Sequence, residues 1–335
     1  MMKINIKKIS EISGYSIATV SNALNQKRGV SAGTAKKIME IAAQYGYAAE
    51  NKIANICLVA YRDSGKVLSN SPFFAALLES VENESRRNGF ATKLVNLYRQ
   101  SPDYEQEAAK LLGDTSSAIL LVGTELSKED AVRFQQTKSP LVLLDCCFEQ
   151  PVFNAVLMDN EESVYQAAAY LEMLGHKRIG YLRAEVHTQN FKERFRGYER
   201  ALFERGLSMN EAAVIDLPVS IHEAYEAFKE FLQKEPELPT AFMADNDMIA
   251  LGAMKALQEQ GVDIPKDISL IGFDDISYSE VSTPALTTVC VLKKELGQAA
   301  VRRLIDLIEE PQQAKSRIQI YNKLIKRGSV AAPCK

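Results

Sequence analysis

At 335 residues, with 46% hydrophobic and 25% charged side chains, the chain is too long for one compact core and suits a small head followed by two ordinary domains of globular composition. No apolar run reaches the length of a bilayer span, and the N-terminal lysines are not followed by a continuous apolar stretch, so membrane and exported classes are excluded and a cytoplasmic protein is expected. The net charge of −3 hides an uneven split: residues 1–50 hold Lys3, Lys7, Lys8, Lys27, Arg28, Lys36 and Lys37 against Glu11, Glu40 and Glu50, a net +4 that leaves −7 for the rest. A basic head on an acidic body is the electrostatic footprint of a nucleic-acid module joined to something else.

Residues 7–25, KKISEISGYSIATVSNALN, predict an amphipathic helix, a tight turn at Gly14 and a second short helix, which is a helix-turn-helix. In the first helix Ile6, Ile9 and Ile12 form the packing stripe. In the second, Val20, Ala23 and Leu24 fall at i, i+3 and i+4, leaving Ile17, Ala18, Ser21, Asn22 and Asn25 facing away. Ser16 is placed to cap that helix. A third helix opens at Ser31 or Thr34 and carries Ile38, Ile41, Ala42 and Tyr45 at helical spacing. The same pattern fits any small three-helix bundle; the charge split decides for DNA.

From residue 56 onward short β-rich runs alternate with helical stretches. Strands are expected at Ile56–Tyr61, Thr92–Leu97, Ala118–Gly123, Leu141–Asp145, Ile179–Arg183, Val214–Leu217, Ala241–Ala244 and Ser269–Phe273. Helices are expected at Pro72–Asn88, Glu161–Leu174, Arg194–Arg205, Glu223–Gln233 and Met248–Gln260. Continuous apolar strands separated by helices predict parallel sheets covered on both faces, an α/β body whose ligands sit beyond the carboxyl ends of the strands. Polar residues cluster there: Asp145, Asp159-Asn160, Asp245-Asn246-Asp247 and Asp274-Asp275. The five cysteines (Cys57, Cys146, Cys147, Cys290 and Cys334) are odd in number and lack paired metal-ligand spacing, which reads as reduced packing residues with no metal.

The head run SGYSIATVSNALNQKRGVSAGT, with LGHKRIGYL at 174–182, RFRGYERAL at 194–202, PTAFMADNDMIALGAMKALQEQGVDIPKDISLIGFDD at 239–275 and PALTTV at 284–289, resembles the lactose-repressor/galactose-repressor (LacI/GalR) family of bacterial transcription factors over nearly the whole chain. The resemblance implies a periplasmic-binding-protein-like body of two Rossmann-like parallel-sheet subdomains, with an effector between them. The expected division is a DNA-binding domain at 1–47, a linker at 48–55 and a body at 56–335, whose subdomain one comprises 56–157 and 290–318 and subdomain two 158–289 and 319–335. One departure concerns the linker. Family members follow the third helix with Tyr-x-Pro-Asn and a hinge helix containing Ala-Arg-x-Leu, whereas here Tyr47 leads into AAENKIAN. Without the leucine wedge, which kinks DNA through the minor groove, weaker bending is expected.

For base reading, resemblance and geometry agree on Ile17 and Ala18, which offer apolar contact to a thymine methyl, and on Asn22, which can pair with an adenine edge. Ser16, Thr19, Ser21 and Asn25 are candidates for phosphate contact or capping, the latter alone being an alternative for Thr19 and Asn25. For the effector, Phe73 and Phe74 open a helix where the family places ring-lining side chains, and helix-core packing is expected to claim one of them. Arg194, three residues before Gly197, stands at the family's cleft arginine and can bond paired hydroxyls or a carboxylate. Asp145, Asn246 and Asp274 supply acceptors at strand ends; Asp247 and Asp275 are assigned to caps or turns.

The expected protein is a sequence-specific repressor, a homodimer on a pseudo-palindromic operator, modulated by a small effector such as a sugar or sugar derivative and needing no cofactor. The chain closes after LIKRGSVAAP at 324–333 without a heptad tail, so no coiled-coil tetramer is expected. Two other classes share the body. A sugar-binding transport protein would need an export signal in place of the DNA-binding head. A glycosidase-like enzyme would use paired cleft carboxylates, but the chain has three histidines and none of the phosphate-loop, dinucleotide or zinc-protease motifs, so no catalytic residue is assigned.

Overall fold

The computed structural model describes residues 6–24, 29–45, 53–68, 71–150, 152–209 and 213–334. Internal contacts divide the chain at Ala54/Asn55 into a head and a body. The head is three helices, α1 (Ile6–Ser13), α2 (Ile17–Leu24) and α3 (Ala32–Gln44). Gly14, at φ +74°, makes the α1–α2 turn in a region that side chains with a Cβ avoid. Ile9, Val20, Ala23, Leu24, Ile38 and Ala42 are buried together, with Tyr15, Val30 and Ala35 against them. Among the predicted stripe residues, Ile12 is 36% and Tyr45 49% exposed, outside this core. An eight-residue helix crossing its neighbours meets them over little more than a turn, so Ile9 is enclosed and Ile12 is not, and Tyr45 lies beyond the end of α3. Of the 48–55 linker, only Ile53, Ala54 and Asn55 fall among the described residues; Asn25 falls outside them.

The body contains two six-stranded sheets. The first runs β11-β5-β4-β3-β1-β2, built from β1 (Asn55–Arg62), β2 (Ala91–Tyr98), β3 (Ser117–Val122), β4 (Leu141–Leu144), β5 (Asn154–Met158) and β11 (Arg317–Ile320). The second runs β12-β10-β9-β8-β6-β7, from β6 (Ile179–Ala184), β7 (Val214–Leu217), β8 (Ala241–Ala244), β9 (Ser269–Asp274), β10 (Thr287–Cys290) and β12 (Lys323–Ile325). Pairing is parallel except between β10 and β12. Strands β1, β3, β4 and β5 are buried almost throughout, as parallel strands covered on both faces must be.

The helices are α4 (Pro72–Arg87), α5 (Tyr104–Gly113), α6 (Lys128–Phe134), α7 (Asn160–Met173), α8 (Gln189–Glu204), α9 (Ile221–Leu232), α10 (Asp247–Glu259), α11 (Ser277–Val281) and α12 (Lys293–Glu309). The chain passes between the subdomains three times, from β5 to α7, from β10 to α12 and from β11 to β12. Helix α12 follows a strand of the second sheet yet packs on α4, where the Ser80 hydroxyl donates to the Lys294 carbonyl at 2.7 Å. Helix starts sit on capping side chains: Ser71, Ser127, Asp159, Thr188, Ser220 and Asn246 each accept a backbone N–H from the first turn, satisfying donors that the helix cannot. Helix α8 accordingly begins at Gln189, five residues before the predicted Arg194, because Thr188 caps it.

Candidate functional site

The outward face of α2 is made by what its inner face buries. Val20 and Ala23 are at most 1% exposed, and Ile17, at the N-terminal end of the helix, is 53% exposed. Ala18 is exposed beside it, while Thr19, Ser21 and Asn22 are half-buried. The Ser16 hydroxyl accepts from the Thr19 amide at 3.1 Å and lies 2.8 Å from the Thr19 hydroxyl. Both hydroxyls are thus engaged in the cap, which orients the first turn of α2 and presents Ile17 and Ala18 at its tip. Asn25, the last predicted member of this face, lies outside the described residues.

In the body, the carboxyl ends of both sheets converge on a cavity of about 130 Å³. Phe73, Asp145, Arg194, Asn246 and Asp274 all line it, with Asp145 and Phe73 from the first subdomain and the others from the second. Phe74 does not line it. Its ring lies beneath the Arg62 guanidinium, 5.6 Å from the ring centroid, which is the core role expected of one phenylalanine. His222 is exposed on the first turn of α9, also outside the lining.

Asp145 ends β4 at φ +67°, and its carboxylate accepts from the Thr124 hydroxyl at 2.5 Å and from Asn190 Nδ2 at 2.9 Å. Asn190 reaches it from α8, so this bond crosses between subdomains. Arg194 is 3% exposed: its Nε donates to Asn160 Oδ1 at 2.9 Å, its Nη1 to the Asp245 carbonyl, and its Nη2 to Met158 Sδ at 3.4 Å. The guanidinium lies 3.6 Å from the centroid of Phe273, a cation–π contact, and 3.7 Å from Asp274 Oδ1. Asp274 and Asp275 are both in left-handed backbone, at φ +109° and +52°, which costs on the order of 1–3 kcal/mol per residue unless neighbours hold it. Lys293 holds it, donating Nζ to both carbonyls.

One assignment changes in the structure. Asn246 Oδ1 accepts the Ile249 amide at 2.9 Å, so its oxygen is committed to capping α10 and what it has left for a ligand is its amide N–H. Asp247 does not cap its own helix. It is fully buried and accepts from the Ile276 amide at 3.0 Å, Ser279 Oγ at 2.7 Å and Thr288 Oγ1 at 2.5 Å, tying the 276–279 turn to β10. Asp275 pairs with Arg327 at 2.8 Å. Sequence patterns placed Asn160 in a polar cluster at a strand end without a role, and did not point to Asn190 or Thr124, whose only local mark is a polar side chain near a helix start or strand end.

Burial dominates the electrostatics of these carboxyls. It pushes Asp145 up to about 6, despite Thr124, Arg194 and Asn190. Asp245, which accepts from Tyr181 Oη and the Ala184 amide, each at 2.6 Å, also rises to about 6. Burial, and then the charge of Asp274, raises Asp247 to about 7. Asp274 is raised too, with Arg194 and Lys293 opposing. A carboxyl with a higher pKa folded than unfolded binds its proton more tightly in the native state, so stability is gained as pH falls through the folded pKa toward the ordinary value of 3.8. His176, buried between Thr240 and the Ala331 carbonyl, opposes this because burial lowers its pKa. With several carboxyls against one imidazole, the body should become more stable between pH 7.5 and 5, and Asp247→Asn should flatten the upper part of that slope. Urea unfolding across the range checks both; a parent stability that is flat or falls on acidification contradicts the assignment.

The signature of bacterial regulatory proteins of the lacI family matches residues 5–50, and that of a periplasmic binding protein-like domain matches 168–330. The HTH-type transcriptional repressor PurR of Haemophilus influenzae (strain PittEE) is 30% identical over 333 residues, covering 97% of this chain and 98% of the relative. Among solved structures, a lac repressor dimer bound to operator and the anti-inducer ONPF shares the fold, with a TM-score of 0.74 at 24% identity over 98% of this chain and 99% of that one. A LacI family transcriptional regulator from Enterococcus faecium with bound ribose has a TM-score of 0.70 at 26% identity, over 82% and 99%. Among the described residues, no helix is long and apolar enough to cross a membrane. Helix-turn-helix head, paired parallel sheets and full-length relatives together place the chain in the LacI family, as a DNA-binding transcriptional repressor.

Proposed function

We propose that this repressor is a homodimer on a pseudo-palindromic operator and that a small polyhydroxylated effector, a sugar or sugar derivative, sets its operator affinity from the cavity of the body. The observation that carries the reading is the convergence of Arg194, Asp145 and Asp274 from three separate βα units on one cavity of about 130 Å³. The cationic fork supplies paired donors, the carboxylates supply acceptors and Phe73 supplies an apolar wall, a set suited to a hydroxyl-rich ring. The ribose bound to the Enterococcus faecium relative supports a ligand of this size and chemistry. Because the lining comes from both subdomains, a ligand touching all of it favours the closed body, and only such a differential affinity can shift the population. In a dimer, rotation of the subdomains changes the separation of two heads that read half-sites at fixed spacing.

A thermal-shift screen of sugars, sugar phosphates and nucleobases tests the effector reading, since a ligand that binds only the folded state raises the melting temperature. Stabilisation by a sugar that also alters operator binding supports it; stabilisation by nucleobases alone overturns the sugar assignment. In the head, Asn22→Ala should relax base choice at one position per half-site, a discrimination loss of about 1–3 kcal/mol. Selection from a randomised operator library reads this out, and an unchanged consensus would remove Asn22 from the reading set.

A further inference from the structure

The segment joining β1 to α4 is held by a residue distant in sequence. Glu125, just after β3, accepts at Oε2 from the Asp63 amide at 2.9 Å, the Gly65 amide at 2.8 Å and Ser64 Oγ at 3.2 Å, and at Oε1 from the Val67 amide at 3.1 Å. One carboxylate therefore collects three backbone N–H groups and a hydroxyl, a concave nest around an anion. These bonds are charge-assisted, stronger than neutral ones.

The far side of the same loop meets the other subdomain. Lys66 Nζ lies 3.0 Å from Glu185 Oε1, just beyond β6. Val67 packs against the apolar cluster that contains Phe191 and Val219 of the second subdomain. Lys66, Val67 and Leu68 all line the cavity, whereas Glu125 lies outside it, lining the larger groove of about 980 Å³ that shares Thr124 and Thr188 with it. With 59% and 40% of their side chains exposed, Lys66 and Glu185 form a solvent-screened pair that holds the loop only weakly. The loop's hold on the second subdomain thus depends on Val67, and the shape that delivers Val67 depends on Glu125.

We propose that Glu125 is a positioning residue for the cavity: it preorganises the 63–67 loop as a seal that Val67 and Lys66 press onto the second subdomain. The proposal rests on reading the cavity as the effector site and adds that effector entry and exit require this seal to lift. Loosening the anchor should speed both, since a loop no longer held in its sealing shape opens more often.

The test uses the full chain carrying Met248→Cys, which places a thiol in the cavity lining, with iodoacetamide as the probe and peptide mass spectrometry to follow alkylation. Adding Glu125→Ala should accelerate alkylation of position 248 tenfold or more and strip hydrogen-exchange protection from the amides of residues 63, 65 and 67, leaving alkylation of the exposed Cys334 unchanged. Val67→Ala should accelerate alkylation while those three amides stay protected, a split that a general loss of structure would not give. Alkylation needs no effector, so a screen that finds no stabilising small molecule would overturn the effector reading and leave the seal standing. Labelling of position 248 within twofold of the parent in both Glu125→Ala and Val67→Ala would overturn the seal.

Discussion

Replacing Arg194 with alanine is expected to abolish the effector response and to destabilise the body by about 3–5 kcal/mol, while operator binding without effector persists. The guanidinium is 3% exposed and holds Asn160, the Asp245 carbonyl and Met158, with Asp274 at 3.7 Å. Its loss leaves a buried carboxylate and carbonyl without their donor, which costs more than the pair contributed. Effector affinity should fall by about 30-fold or more, the equivalent of about 2 kcal/mol for truncating one partner of a buried charged contact. Arg194→Lys keeps the charge and loses the planar fork, so it should recover part of the stability and little of the effector affinity. Calorimetric titration with the sugar found by screening, beside urea unfolding, separates the two effects. Unchanged effector affinity in the alanine variant would show that the cavity is misassigned, and lost operator binding in the absence of effector would make Arg194 a structural residue.

Gly197→Ala should cost about 3 kcal/mol, at the upper end of what overpacking a close contact takes. A methyl group at that position would lie 2.2 Å from the Glu161 carbonyl oxygen, 3.0 Å from its carbon and 3.2 Å from its Cα. These are backbone atoms of the first turn of α7, so no side chain can swing aside and the two helices have to part. The same turn of α7 carries Asn160, whose Oδ1 holds Arg194 at 2.9 Å, so effector binding should weaken along with stability. Urea unfolding measures the first effect and calorimetry the second. A stability within 0.5 kcal/mol of the parent, a change of the size expected at surface sites, would mean that α7 yields more readily than its backbone contact implies.

Much of this architecture is legible in local pattern. Val20, Ala23 and Leu24 announce the inner face of α2 by their spacing alone, and the buried central strands other than β5 and β10 appear as apolar runs bounded by turns, because burial on one face or both imposes a period on neighbouring residues. The edge strands β11 and β12 carry no such mark: β11 alternates exposed and half-buried residues, and it becomes a strand only by pairing Arg317 with Ala155, far away in the chain. That Ile9 is enclosed in α1 while Ile12 stays exposed follows from how three short helices cross.

At the cavity the same boundary applies. The aspartates at strand ends and Arg194 are visible because a parallel α/β sheet puts its chemistry beyond the carboxyl ends of its strands. Only the packed chain decides that Phe73 meets the cavity while Phe74 lies beneath Arg62, and that the oxygen of Asn246 is spent on its own helix. The recruitment of Asn160, Asn190 and Glu125 is likewise tertiary, since each bonds groups 30 or more residues away. The sequence by itself determined the helix-turn-helix head, the βα alternation of the body and the residue types at its strand ends, because these follow from short-range spacing. The tertiary structure alone decided which of those side chains face one another, because a hydrogen bond forms only where the fold brings donor and acceptor within about 3 Å.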